Sequence, residues 1–321
     1  MGTILVTGGT GMVAQHVAEA AMARGHSIRM ADMAWPEDRI WIKGAEQVGF
    51  DIRDRQACRR YAEGALAIIH CAAVVGPIRS RVDPSITLDV NVVGTANLLE
   101  AARESGARLI NVSTATLYGN RPDLAPLSET DPTDPLTIYD GTKLMSETWC
   151  AAHRRTYGSD AASFRTGFVF GRGNQIGEYF LPRVVAGEAV IETAGGDHPC
   201  DFTYVVDLAE ALVAAALAPA LAHSVYNVTG GELRLRRDLA HAVRDLVPGA
   251  NIVQAPGIDP QRHLRGACVL ERAEADFGWT PRFTLESGMA DWLERLSGLP
   301  ERRPGVAMTR DNSVEDASRR N

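Results

Sequence analysis

The stretch ILVTGGTGMVA, residues 4–14, passes from an apolar run through a glycine-rich turn into an apolar helix start. Gly8, Gly11 and Ala14 have the spacing G-x-x-G-x-x-A. Small residues at these places permit a tight turn, close approach of the backbone to a pyrophosphate, and close packing of helix on strand. A pyrophosphate in such a turn lies at the helix N-terminus. The stretch therefore predicts a dinucleotide-binding turn between a first strand and a first helix.

Beyond this turn, short β-rich runs alternate with longer helical ones. Such alternation is typical of a parallel sheet covered by helices on both faces. The pattern predicts an α/β fold with a doubly wound parallel sheet of the Rossmann type and a smaller C-terminal substrate lobe. The predicted strands are 4–7, 27–32, 46–51, 66–70, 108–113 and 162–170, and the predicted helices are 12–24, 54–63, 85–104 and 138–157.

The same pattern suggests a division of the chain. Residues 1–170 are expected to form the dinucleotide-binding domain, to which 200–228 returns. Residues 171–199 and 229–299 are expected to form the substrate lobe. The last stretch, 300–321, has almost no large apolar side chains, which predicts a disordered tail.

Bulk composition excludes several classes of partner. The chain has 321 residues, 45% of them hydrophobic, and a net charge of -7 without a lysine- and arginine-rich run. This argues against nucleic acid and anionic membranes as partners. No signal peptide and no run of ~20 apolar residues is present, so we expect a cytoplasmic protein. Five scattered cysteines without a C-x-x-C pair indicate reduced thiols and no metal site.

Carboxylates at two strand ends bear on the choice of cofactor. Asp32 ends the second strand, 21 residues after Gly11. A carboxylate there accepts hydrogen bonds from the adenosine ribose and repels a 2′-phosphate, which favours NAD. The alternative is an aspartate that only caps a turn. Asp51 and Ile52 follow the third strand, where they are placed to contact an adenine.

A tyrosine and a lysine indicate the chemistry. Tyr139 and Lys143 are four residues apart, hence on one face of a helix. A nearby ammonium is expected to lower the pKa of the phenol and so make Tyr139 a proton shuttle. Ser113 and Thr114 end the fifth strand at the same sheet edge, where a hydroxyl can hold and polarise a substrate oxygen.

Further motifs follow in order along the chain: HCAA at 70–73, NVVGT at 91–95, STATLYG at 113–119, DFTYVVDLAEA at 201–211, YNVTGG at 226–231 and FGWTPRFTLESG at 277–288. With the glycine turn and YDGTK at 139–143, they make the chain resemble the extended short-chain dehydrogenase/reductase superfamily, within it the NAD-dependent epimerase/dehydratase family. The resemblance covers nearly all of residues 1–297.

This resemblance implies roles for individual residues. Thr114, Tyr139 and Lys143 would be the catalytic residues, with Lys143 also holding the nicotinamide ribose. The implied cofactor contacts, besides the glycines, Tyr139 and Lys143, are Met12, Val13, Asp32, Asp51, Ile52, Cys71, Ala72, Ala73, Asn91 and Phe168. Asn91 could instead satisfy helix backbone in the core, and we interpret His70 as a packed strand-end residue. The family pairing of helices near 85–104 and 138–157 implies a homodimer.

The sequence also departs from the family pattern. Ala115 and Thr116 follow Thr114, where the family's hexose dehydratases carry an aspartate and a glutamate. Cys200 occupies the place of the arginine that grips a diphosphate in nucleotide-sugar enzymes, and residues 165–171 lack an expected asparagine. Replacement cations could be Arg172 or Arg183. The predicted substrate contacts are Thr114, Thr116, Arg79 and Arg172. The alternative for Arg79, and for Arg81 in the same loop, is a charge that only contacts solvent.

These observations favour an NAD-dependent oxidoreductase that transfers a hydride between the nicotinamide and a secondary hydroxyl carbon. Its expected substrate is a small sugar, sugar acid or hydroxy acid, with Tyr139 as general acid/base. The alternative is a nucleotide-sugar epimerase that retains its NAD. A second alternative is a non-catalytic protein that senses NAD.

Overall fold

The computed structural model describes residues 2–36, 42–173, 181–192, 194–260 and 262–297. The predicted tail, 300–321, lies outside them. The strands are β1 (Thr3–Thr7), β2 (Ser27–Asp32), β3 (Glu46–Gly49), β4 (Ala65–His70), β5 (Arg108–Thr114), β6 (Ala161–Thr166), β7 (Phe168–Phe170), β8 (Val190–Glu192), β9 (Pro199–Tyr204), β10 (Val225–Val228), β11 (Leu233–Leu235) and β12 (Ile252–Gln254). The helices are α1 (Met12–Ala23), α2 (Arg55–Ala62), α3 (Pro77–Val82), α4 (Pro84–Leu88), α5 (Thr95–Ser105), α6 (Ile138–Tyr157), α7 (Val205–Leu217), α8 (Arg236–Leu246), α9 (Glu271–Phe277) and α10 (Leu285–Ser297).

The main sheet has seven parallel strands in the order β10-β6-β5-β4-β1-β2-β3. From β1 the chain adds strands on one side, and from β4 on the other. This confirms the predicted doubly wound α/β fold. Ligands of such sheets bind at the carboxyl ends of the strands where the order reverses, which here lies between β1 and β4.

Side chains of β1 alternate between two cores. Ile4 and Val6 pack in the cluster that includes α1 and α7, whereas Leu5 packs in the cluster that includes α2 and α5. All three are fully buried. A strand covered on both faces has no solvent-facing positions, which explains why β1 is a continuous apolar run.

Two predicted elements are divided in the structure. The strand predicted over 162–170 breaks at Gly167, where a Cβ atom would lie 2.6 Å from the carbonyl oxygen of Asp201. After the break, β7 pairs with β9 in a separate three-stranded sheet, β11-β9-β7. The helix predicted over 85–104 is α4, a π-helical segment Asp89–Gly94, and α5.

The later part of the chain contributes to several sheets. Strand β10 joins the main sheet beside β6, while β9 and β11 pair antiparallel outside it and β12 pairs with β8. A core that includes the fully buried Met289 and the almost fully buried Trp292 forms around β9, α8 and α10. The predicted division into domain and lobe stays a prediction.

Candidate active site

The glycine-rich turn, residues 8–11, joins β1 to α1 at the carboxyl edge of the sheet. Gly8 has a φ of +70°, and a Cβ atom there would lie 2.8 Å from the backbone nitrogen of Ala72. Glycine alone meets both conditions without strain. Gly11 is the N-cap of α1 and donates its amide to the Gly8 carbonyl over 2.8 Å. The turn brings bare backbone to the start of a helix, which suits the pyrophosphate of a dinucleotide.

Asp32, at the end of β2, contacts this turn directly. Its Oδ2 accepts the backbone N–H of Thr10 over 2.9 Å and the Thr10 hydroxyl over 2.7 Å. Its Oδ1 accepts the N–H of Met33 over 2.7 Å. Asp32 therefore does cap the turn, as the alternative supposed. A carboxylate oxygen accepts two hydrogen bonds, so Oδ1 keeps one acceptor position that a ribose hydroxyl could use.

The predicted adenine end lies beyond β3. Arg53 donates from Nε and from a terminal nitrogen to Oδ2 of Asp51, over 2.9 and 2.6 Å. These hydrogen bonds hold the pKa of Asp51 below its usual range. Ile52 is buried, and a Cβ atom at Gly94 would lie 2.5 Å from its Cδ1. The contacts of Asp51 and Ile52 with an adenine stay predictions.

His70 ends β4 and is held by two threonines. Its Nδ1 lies 2.7 Å from the Thr7 hydroxyl and its Nε2 lies 3.1 Å from the Thr95 hydroxyl. Burial, with a smaller effect of the Lys143 charge, lowers the pKa of His70 to about 3. The ring is neutral and its polar atoms are occupied, which confirms the interpretation of His70 as a packed residue.

The segment Cys71–Ala73 leaves β4 beside the glycine turn. Its Cys71 amide donates to the Thr7 carbonyl over 3.3 Å, and burial raises the pKa of the Cys71 thiol to about 12. Asn91 holds the next residue: it accepts from the N–H of Val74 over 2.8 Å and donates to its carbonyl over 3.1 Å. Asn91 also donates to the Thr142 hydroxyl, 3.0 Å away. Both its amide protons are thus used, one by the carbonyl of Val74 in a loop and one by the Thr142 side chain on α6. The alternative supposed hydrogen bonds to helix backbone, and the side chain makes none of these.

Thr114, Tyr139 and Lys143 lie on β5 and on the first two turns of α6. Thr137 caps this helix, since its hydroxyl accepts the N–H of Asp140 over 3.1 Å and the Asp140 side chain accepts the Thr137 N–H. The reciprocal pair fixes where α6 begins, and so sets Tyr139 in its first turn and Lys143 one turn later.

Lys143 is 3% exposed. Burial lowers its pKa to about 8, even though the charge of Glu147 acts in the opposite direction. Within the described part of the chain its ammonium makes no hydrogen bond and no ion pair. A buried cation without a partner is costly to the folded state, and such groups are concentrated at functional sites.

The expected effect of Lys143 on Tyr139 is wrong for the protein alone. Burial raises the pKa of the Tyr139 phenol, and the negative charge of Asp140, its neighbour in sequence, raises it further. Desolvation is the larger of these two effects, and both disfavour the phenolate. Tyr139 is consequently a protonated acid at neutral pH in the protein alone.

A chain of hydrogen bonds links Thr114 to the C-terminal part of the protein. The hydroxyls of Thr114 and Thr116 are 2.9 Å apart, and Thr116 donates to Oδ1 of Asp140 over 2.5 Å. On the other side, Oδ2 of Asp140 lies 3.3 Å from Nε2 of His263. Burial opposes ionisation of Asp140, but hydrogen bonds from His263, Thr116 and Thr137 bring its pKa below the usual value. Sequence reasoning missed Asp140 and His263.

A buried ion pair between β6 and α6 was also missed by sequence reasoning. Arg165 donates to Glu147 over 2.7 Å, and Ser113 donates to the same carboxylate over 2.5 Å. Both charged side chains are at most 5% exposed. Burial opposes the charge on Arg165, yet Glu147 holds its pKa above the usual value. Glu147 is four residues after Lys143, a spacing that could have indicated a shared face of α6.

The arginines that could bind a substrate differ in their contacts. Arg79 and Arg81 are exposed on α3. Arg172 donates to Glu19 of α1 over 2.7 Å, and Arg183 donates to Glu188 over 2.8 Å. Arg172 and Arg183 are therefore neutralised locally. Their contacts with a substrate, like that of Arg79, stay predictions.

Cys200, at the position of the missing arginine, is buried on β9. Burial raises the pKa of its thiol to about 11, and the charges of Arg262, Arg265 and Arg236 act against this rise. The guanidinium of Arg262 lies 5.1 Å from the ring centre of Phe168. Positive charge is thus present near Cys200, although residue 200 itself supplies none.

Two kinds of feature are absent from the residues that the structure describes. None of their helices combines the length and the hydrophobicity that crossing a bilayer requires. Nor does any group of three or more His, Cys, Asp or Glu side chains in that part of the chain have the arrangement of a metal site.

The chain is similar to known proteins over most of its length. The model of the NAD dependent epimerase/dehydratase family matches residues 4–229. A UDP-glucose 4-epimerase of Mycolicibacterium smegmatis is 30% identical over 312 residues, which cover 90% of this chain and 97% of that protein. UDP-glucuronic acid decarboxylase 1 of Danio rerio is 28% identical over 92% of this chain and 72% of its own length.

Solved structures agree with these matches. The UDP-glucose 4-epimerase of Thermus thermophilus, in complex with NAD, superposes with a TM-score of 0.81. It is 28% identical, and the alignment covers 93% of this chain and all of that one.

Proposed function

The chain belongs to the NAD-dependent epimerase/dehydratase family, and on that basis we propose that it oxidises a secondary hydroxyl of a small sugar, sugar acid or hydroxy acid. It is an enzyme of the extended short-chain dehydrogenase/reductase type, and its cofactor is NAD. The observation that carries the proposal is the buried Lys143, unpartnered among the described residues and one turn after Tyr139 on α6.

The residues of the predicted cofactor site fit NAD. The turn around Gly8 excludes side chains, and Oδ1 of Asp32 retains an acceptor position. Lys143 has three ammonium protons and no protein acceptor within the described ranges, so ribose hydroxyl oxygens would satisfy it. Bound NAD supplies the acceptor for the substrate's hydride.

Tyr139 and Thr114 would act on the substrate oxygen. For oxidation, Tyr139 must be ionised when it takes the hydroxyl proton, and its pKa is raised in the protein alone. Oxidation at neutral pH therefore depends on positive charge brought near the phenol, of which Lys143 supplies one part. Thr114 would hold the same oxygen and orient the carbon for hydride transfer.

The cysteine at position 200 favours a small substrate that has no diphosphate. A diphosphate bound by an arginine gains charge-assisted hydrogen bonds of ~1.5–3 kcal/mol each, and the buried Cys200 offers none. The two residues named as replacements, Arg172 and Arg183, are paired with Glu19 and Glu188. Because these carboxylates already neutralise both arginines, the ion pairs support a substrate without a diphosphate.

A nucleotide-sugar epimerase is the second candidate. The positive charges of Arg262, Arg265 and Arg236 act on Cys200. Arg262 and Arg236 are paired with Asp259, whereas Arg265 could replace the missing arginine from another element. The compared proteins include UDP-glucose 4-epimerases, which supports this candidate. The third alternative, an NAD-sensing protein without turnover, is disfavoured because the related proteins are enzymes.

We also propose a homodimer formed through α4, the π-helical segment and α6. Met145 and Trp149 are both 52% exposed and lie four residues apart on α6, hence on one face. Ile86, Leu88 and Val93 add exposed apolar side chains on the neighbouring helical segments. Replacing Trp149 with Glu should convert the dimer to a monomer in sedimentation, and an unchanged mass of two chains would contradict this interface.

One screen tests the proposed function. Purified protein with NAD is offered free sugars, sugar acids, hydroxy acids and nucleotide sugars, with NADH absorbance and product analysis as readouts. The proposal expects sustained NADH formation with a compound that lacks a nucleotide. Isomerised nucleotide sugar without net NADH would establish the epimerase instead. NAD binding without any turnover would favour the sensor.

A further inference from the structure

The hydrogen-bonded chain Thr114–Thr116–Asp140–His263 has a fixed direction. Asp140 receives donors on both oxygens: the Thr116 hydroxyl on Oδ1, and the N–H and hydroxyl of Thr137 on Oδ2, the latter two over 3.1 and 2.7 Å. His263 approaches Oδ2 as well. A carboxyl group surrounded by donors is ionised and supplies no proton of its own.

The number of hydroxyl protons determines which threonine donates in the contact between Thr114 and Thr116. A threonine hydroxyl has one proton, and that of Thr116 is given to Asp140. In the 2.9 Å contact between the two threonines, Thr116 can only accept, so Thr114 must donate. The proton of Thr114 is thereby directed along the chain toward Asp140.

Thr114 is left with acceptor capacity only. Its Oγ1 also accepts the backbone N–H of Thr116 over 3.2 Å, which uses one of its two lone pairs. One acceptor position remains. Resting on the oxidation proposed above, we infer that Thr114 meets the substrate as a hydrogen-bond acceptor, so that the site selects the hydroxyl form over the ketone.

This selection follows from the chemistry of the two forms. In the binding complex at neutral pH, where Tyr139 is protonated, a secondary hydroxyl donates to Thr114 while it accepts from Tyr139, whereas a ketone accepts only and leaves Thr114 unmatched. When Tyr139 ionises, the substrate hydroxyl turns its proton to the phenolate, which takes it as the hydride leaves the carbon. One net hydrogen bond corresponds to a preference of about 2- to 10-fold. Asp140, Thr116 and His263 act through Thr114 as positioning residues. The ketone is therefore bound less tightly than the alcohol, which favours net oxidation over epimerisation through a bound ketone.

Neutron diffraction tests the direction of the chain without any substrate. Crystals of the perdeuterated protein, grown with NAD, should show the Thr114 deuteron pointing at Thr116 and the Thr116 deuteron pointing at Asp140. A Thr114 deuteron pointing away from Thr116, or a deuteron on Asp140, would overturn the inference. Because no substrate is present, this outcome is separate from success or failure of the screen.

A pair of variants tests the selection itself. Thr116→Val removes the acceptor and frees the Thr114 proton, and Thr116→Ser keeps the chain as a matched control. For the compound that reacts in the screen, the ratio of KM values for ketone and alcohol should fall about 2- to 10-fold in Thr116→Val and stay unchanged in Thr116→Ser. An unchanged ratio in Thr116→Val, or an equal fall in both variants, would contradict the inference.

Discussion

Thr10 donates both its backbone N–H and its hydroxyl to one oxygen of Asp32, over 2.9 and 2.7 Å. The carboxylate therefore holds the glycine turn in shape, and its other oxygen, which accepts the N–H of Met33, retains one acceptor position. We propose that the same side chain also favours NAD over NADP.

Asp32→Asn tests this link. The amide oxygen can still accept from Thr10, but the negative charge is lost. We expect NAD affinity to fall about 10-fold, the order of one charge-assisted hydrogen bond, and discrimination against NADP to narrow. Calorimetric titration with both dinucleotides measures the two effects. Equal NAD affinity in wild type and variant would show that Asp32 only caps the turn.

Lys143→Met should stabilise the protein in the absence of NAD. The pKa of Lys143 is lowered from 10.5 to about 8, so its burial costs stability below pH 8. Since the unfolded chain binds more protons between pH 8 and 10.5, wild-type stability rises with pH across that window. At pH 7 the variant should gain about 1–3 kcal/mol in free energy of unfolding, measured by urea denaturation.

The exposed Lys43 provides the matched control. Lys43→Met should change the free energy of unfolding by less than ~0.5 kcal/mol. The Lys143 variant should also bind NAD more weakly, while the Lys43 variant binds it as wild type does. Destabilisation by Lys143→Met would mean that the ammonium has a partner in the folded protein.

Oxidation should accelerate as the pH rises. Burial and the Asp140 charge raise the pKa of Tyr139, so the phenolate needed for proton abstraction is scarce at neutral pH. Below that pKa, log kcat/KM for oxidation is expected to increase by about one per pH unit, and reduction should show the opposite trend. Initial rates in both directions measure this, and a flat profile between about pH 6 and 9 would exclude Tyr139 as the base.

The ion pair of Arg165 and Glu147 should be essential to the fold. Removing one partner of a buried pair leaves an uncompensated charge, so Glu147→Gln should cost about 3–5 kcal/mol of unfolding free energy. The exposed pair of Arg103 and Glu100 is the comparison, and Arg103→Met should cost under ~1 kcal/mol. Similar costs for both variants in urea denaturation would refute the distinction.

Much of the fold could be predicted from local sequence patterns. The glycine turn could be predicted because the positive φ of Gly8 belongs to the turn itself, and the parallel sheet because strands covered on both faces are uniformly apolar. Lys143 could be placed on α6 from its spacing to Tyr139.

Other features depended on tertiary placement. That Lys143 lacks a partner in the described part of the chain, and that the sequence-distant His263 reaches Asp140, follows from packing between separate segments. The pKa of Tyr139 was expected to be lowered, because spacing reveals a neighbouring charge but not the extent of burial. Gly167, where the predicted strand breaks, could have been taken as a bulge, since glycine inside a strand often marks one.

The central claim is that Tyr139 transfers the substrate proton in an NAD-dependent oxidation. It is tested most directly by Tyr139→Phe, assayed beside wild type for NAD affinity by calorimetry and for NADH formation with the compound found in the screen. We predict NAD affinity within about 3-fold of wild type and a loss of turnover of at least ~100-fold. Wild-type NADH formation by Tyr139→Phe would contradict the account.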